Sequence, residues 1–131
     1  MDYDPLYERL RKKQIDCLLQ SFLALSPQQR ESLFFDSILP QIIQHYGLTD
    51  ARLSGQLIYA EVCSLRTTPV GLVTFQSFLG RGRIKRSNIY IFATTSIFAD
   101  QVKELMVHLD GYIILIEGKE LAGFIQSKLI L

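Results

Sequence analysis

The chain has 131 residues, fourteen Lys and Arg against thirteen Asp and Glu, and a formal net charge of +1. That length suits one domain with one core. An apolar fraction of 48% with 11% aromatics argues against disorder. No apolar run reaches transmembrane length, and the acidic start Met1-Asp2-Tyr3-Asp4-Pro5 does not read as a signal peptide. A cytoplasmic protein is expected. Cys17 and Cys63 make no disulfide framework, and with His45 and His108 they lack the spacing of a zinc site.

Asp4-Pro5 reads as a helix start, and Leu6, Leu10, Cys17, Leu18, Phe22 and Leu25 give a helix of about five to six turns. Its run Arg9, Arg11, Lys12, Lys13 is expected to be a solvated face rather than a phosphate contact. Ser26-Pro27-Gln28-Gln29 has the form of a capping box opening a second helix, with Leu33, Phe34, Ile38, Ile42 and Ile43 inward. Pro40 should kink it near Asp36, and Gly47 should stop it. Residues 48–56 are polar and predict a short strand at Arg52-Leu53, then a turn at Ser54-Gly55.

Residues 57–63 read as a strand. A loop follows, then a helix from Pro69 or Val70 that Gly80 ends, and then a basic loop from Arg81 to Arg86. Asn88–Ala93 is apolar at nearly every position, as befits a strand buried on both faces. Thr94, Thr95 and Ser96 are expected to cap the next helix, whose stripe is Phe98, Val102, Leu105, Met106 and Leu109. Asp110-Gly111 reads as a turn, residues 112–116 as a third strand, and Gly118 as the start of a last helix. Such alternation predicts an α/β domain with right-handed crossovers.

Charge is unevenly placed. No Asp or Glu lies between Glu61 and Asp100, while Arg66, Arg81, Arg83, Lys85 and Arg86 do. The remainder of the chain therefore carries −4. A local excess of this kind attracts phosphate even on a nearly neutral chain.

The line Ile58-Tyr59-Ala60-Glu61-Val62-Cys63, Val70-Gly71, Phe75-Gln76, Ile91-Phe92-Ala93-Thr94-Thr95-Ser96-Ile97-Phe98, Ile114-Leu115-Ile116-Glu117-Gly118 and Leu121-Ala122 resembles the catalytic domain of Mrr-type (type IV) restriction endonucleases, over about residues 25–126. The resemblance implies the PD-(D/E)xK nuclease fold: a restriction-endonuclease-like three-layer α/β domain, a small mixed sheet flanked by helices. An extra N-terminal helix (1–25) would precede a nuclease-like core (26–131).

It places Glu61 at the metal-binding Glu/Gln position and Gln76 at the helical Gln. Cys63 stands where the motif Lys belongs. Asp50 is the acid in reach for a second metal ligand. In such nucleases acidic oxygens hold Mg²⁺, which activates water, and the Lys stabilises charge at the phosphate. A neutral thiol cannot supply that charge.

The expected function is therefore an Mrr-like DNA-binding domain impaired in metal-dependent cleavage, with Arg81, Arg83, Lys85 and Arg86 on phosphate. One alternative is an active Mg²⁺-dependent endonuclease using Glu61 and Asp50. Another is a homodimer or partner subunit that binds no nucleic acid.

Overall fold

The computed structural model describes residues 5–109 and 111–129. The Asp4 cap, Asp110 of the expected turn and the Ile130-Leu131 end lie outside the described residues. The elements in order are α1 (Pro5–Ala24), α2 (Pro27–Leu33), a π-helical turn (Phe34–Ile38), α3 (Leu39–His45), α4 (Thr49–Leu53), β1 (Ile58–Cys63), α5 (Leu72–Ile84), β2 (Ile89–Thr94), α6 (Asp100–Met106), β3 (Tyr112–Ile116) and α7 (Gly118–Leu129).

The predicted capping box forms. The Gln29 backbone N–H donates to Ser26 Oγ, and the Ser26 N–H donates to Gln29 Oε1. Arg30 then reaches back to the carbonyls of Leu23 and Leu25, tying α2 to the end of α1. Pro40 has no N–H to give Asp36. The helix widens there into the π turn, in which the Leu39 N–H donates to the carbonyl of Phe34, five residues back.

The strands form one sheet in the order β1-β2-β3, parallel throughout. This corrects the mixed sheet expected above. The register sets Glu61 opposite Phe92 and Cys63 opposite Thr94. Alternation sends successive side chains to opposite faces. Ala60, Ile89, Ile91, Ala93, Ile114 and Ile116 face one core with Phe22, Phe34, Ile38, Ile42, Leu121 and Ile125. Tyr90 and Phe92 face another with Phe75, Phe78, Phe98 and Val102 of α5, α6 and their approaches. The first face is mainly aliphatic. On the second, the Phe78 and Phe92 rings stack with centroids 4.2 Å apart. β2 is buried at every position, as its unbroken apolar run predicts.

Four local expectations are corrected. Residues 49–53 form a helix, not a strand, because the N–H groups of Arg52 and Ser54 bond back to the carbonyls of Leu48 and Asp50. α5 starts at Leu72, while Val70 makes a parallel bridge to Phe98. Gly80 does not end α5, which runs on to Ile84, so Arg81 and Arg83 are helical rather than in a loop. Gly82 explains the extension: a Cβ there would run into the Tyr90 ring, so its lack of a side chain lets the helix lie close on β2.

Finally, Thr94, Thr95 and Ser96 do not cap α6, whose N-cap is Ala99. All three are buried and fasten the loop after β1. Thr94 Oγ1 donates to the Cys63 carbonyl, Thr95 Oγ1 to Leu65 and Ser96 Oγ to Thr68.

Candidate nucleic-acid interface and the Glu61 site

Tyr59, Glu61 and Cys63 alternate with Ile58, Ala60 and Val62 along β1. The first three therefore share the face that α5 covers. Because α5 continues past Gly80, Arg81 is carried over Glu61. Its guanidinium grips the carboxylate as a fork: Nε donates to Oε2 at 2.6 Å and Nη2 to Oε1 at 2.8 Å. Tyr59 Oη also donates to Oε2. Three of the roughly four acceptor positions of the carboxylate are thus filled by the chain itself. The pair is half open, with the Arg81 side chain 49% and the Glu61 side chain 26% exposed. Bonding to Glu61 raises the Arg81 pKa, so its charge is fixed.

The neighbours respond to the same carboxylate. Burial, then the Glu61 hydrogen bond and charge, push the Tyr59 phenol above its ordinary value. Burial, then the charge of Glu61, push the Cys63 thiol up. Cys63 therefore remains a neutral thiol at physiological pH and supplies no cation.

The other sequence-predicted residues are not gathered here. Asp50 is exposed on α4 and does not line the cleft around Glu61, which is formed by Glu31, Phe35, β1, Arg81 and Lys85. Gln76 is exposed on α5 and sits about 140° around the helix from Arg81. Among the described residues, no three His, Cys, Asp or Glu side chains converge. The donors around Glu61 do not suit Mg²⁺: of the two acids lining the cleft, Glu31 and Glu61, the second is already matched to a guanidinium whose fixed charge repels a cation.

The remaining cations of the predicted cluster are free. Arg83, Lys85 and Arg86 are exposed, and the two ion pairs among the described residues involve none of them. They crowd the end of α5, which closes in a Schellman motif. The Arg86 N–H donates to the Arg83 carbonyl at 2.9 Å and the Ser87 N–H to Gly82 at 3.1 Å. This geometry puts Arg86 at φ +56°, and among the described residues it is the one non-glycine residue with positive φ.

Sequence reasoning missed the Arg81–Glu61 fork because it ended the helix at Gly80. It also missed the left-handed Arg86, for which an arginine gives no signal. No family model matches the chain, and none of the curated proteins or solved structures matches it.

Proposed function

We propose that this domain binds the DNA backbone without cutting it, an Mrr-like fold whose cleavage site has been closed by its own arginine. The observation that carries the reading is the end of α5. An arginine occupies a left-handed position that glycine would fill at lower cost, beside Arg83 and Lys85. Backbone strain retained at one place is a pointer to function, and here it presents a third cation to solvent. The stretch from residue 62 to residue 99 adds no acid to this end, where Glu31 and Glu61 line the cleft beside Arg81 and Lys85. Arg81 leaves the expected phosphate-binding group, because it is engaged by Glu61.

Support for the silent site comes from Glu61 and Cys63. The carboxylate is forked by Arg81, and the thiol carries no charge toward a phosphate. The contact is to phosphate and therefore indifferent to base sequence.

The test is a fluorescence-anisotropy titration of a labelled duplex at several salt concentrations. The parent should bind with an affinity that falls steeply with salt. Arg83→Ala/Lys85→Ala/Arg86→Ala should bind at least about tenfold more weakly, with a log–log salt slope shallower by about three. Equal affinity and slope in parent and variant would end this reading.

A further inference from the structure

The end of α5 lies at the amino end of β2. The opposite end of the sheet holds a separate feature. An open cleft of about 710 Å³ lies where the loops leave the carboxyl ends of the strands, under α1. The loop after β1 contributes Arg66 and Thr67, the turn after β2 contributes Thr95, Ser96 and Ile97, and the start of α7 contributes Gly118 and Lys119. In open parallel α/β sheets, ligands sit in the crevice outside these strand ends. The volume falls within the range of small-molecule sites.

Its charge is distinctive. Arg9, Arg11 and Lys12 of α1 line it with Arg66 and Lys119, against the acids Glu8 and Asp16. None of these five cations takes part in an ion pair among the described residues. The run on α1 is exposed, as expected of a solvated face, and Arg9, Arg11 and Lys12 of it also line this cleft.

The floor is rigid. Thr95 Oγ1 donates to the Leu65 carbonyl and accepts from the Leu65 N–H, and the Gly118 N–H donates to Ser96. A Cβ on Gly118 would lie 2.6 Å from the Thr95 carbonyl oxygen, so the start of α7 meets this floor at a distance only glycine permits. The Thr95 and Ser96 hydroxyls are consumed in building the floor, which leaves Thr67 and the cations as the ligand-reading groups. Ile15, Leu19 and Ile97 add apolar wall, and Ile97 is 53% exposed.

We infer that this cleft binds a small nucleoside phosphate, with Arg66, Lys119 and the α1 cations on the phosphates and Ile97 with Ile15 against the apolar body. Lone cations without walls would hold any anion weakly. An apolar wall beside five cations and only two acids favours a ligand carrying both a phosphate and an apolar body. The site is independent of the DNA contact proposed for α5.

Isothermal titration calorimetry of the full chain with ADP, adenosine and inorganic phosphate tests this. ADP should bind, and both adenosine and phosphate should bind at least about tenfold more weakly than ADP. Arg66→Ala/Lys119→Ala should weaken ADP at least about tenfold while its duplex affinity stays at the parental value. The α5 triple variant should do the reverse. No ADP binding at millimolar concentration, or equal ADP binding by parent and Arg66→Ala/Lys119→Ala, would overturn the inference and leave the DNA reading untouched. ADP binding no tighter than phosphate would also overturn it.

Discussion

The ends of α3 and α5 close with the same pair of hydrogen bonds. At α3 the Gly47 N–H donates to Gln44 and the Leu48 N–H to Ile43, with Gly47 at φ +67°. At α5 the donors are Arg86 and Ser87, and the left-handed residue is an arginine. α4 repeats the glycine version at Gly55, φ +88°. One motif thus appears with the residue that suits it and with one that does not, and the exception falls where exposed cations gather. A helix end that needs only to stop takes glycine. One that takes arginine does so at an energetic cost, which the proposed duplex contact would explain.

Exchange at the two ends sharpens this contrast. Gly47→Ala should destabilise by ~1–2 kcal/mol in a urea melt, from backbone strain alone. A Cβ there would meet no atom within 4 Å, so no clash contributes. Arg86→Gly should go the other way, stabilising by ~0.5–1 kcal/mol while weakening duplex binding several-fold. A stability gain with unchanged binding would break the contrast, since the strain would then serve nothing.

Arg81 supplies the control within α5. It is as cationic as Arg86, yet it is engaged by Glu61. Arg81→Ala should cost less than about 1 kcal/mol, as expected for a half-exposed pair, and should change duplex affinity less than Arg86→Ala does. A larger affinity loss at Arg81 would mean that the fork opens to meet DNA.

The smallest effect concerns pH. Tyr59 and Cys63, both beside Glu61, titrate above their ordinary values in the folded chain. The unfolded chain loses these protons first, so their contribution is complete at neutral pH. It declines as pH rises past the ordinary thiol value of 9.0. Thermal melts should show a falling midpoint in that range, and Glu61→Gln should flatten the fall by removing the charge that helps raise both groups.

The physical reasons for what could be read in the chain differ by element. β2 and β3 were legible because continuous apolar runs between turn residues leave few other structures. The Ser26 capping box was legible because its chemistry is local. The far end of α5 was not: glycine signals both helix termination and close packing, and only the Tyr90 ring facing Gly82 decides between them. That one residue moved Arg81 from a loop onto Glu61 and changed the meaning of the site. The role of Thr94, Thr95 and Ser96 depended on partners about thirty positions away, at Cys63, Leu65 and Thr68, which no local pattern reveals. The cleft under α1 is legible only once the strand ends are placed.

The measurement that bears most directly on the central claim is a gel assay of supercoiled plasmid with the parent protein in Mg²⁺ and in Mn²⁺. One lane reports both properties, retardation for binding and relaxed or linear product for cleavage. The account predicts a plasmid that is retarded at low salt, released at high salt and recovered supercoiled after the protein is removed. Nicked or linear product made by the parent and lost in Glu61→Ala would contradict it, because the carboxylate held by Arg81 would then be working as a metal ligand.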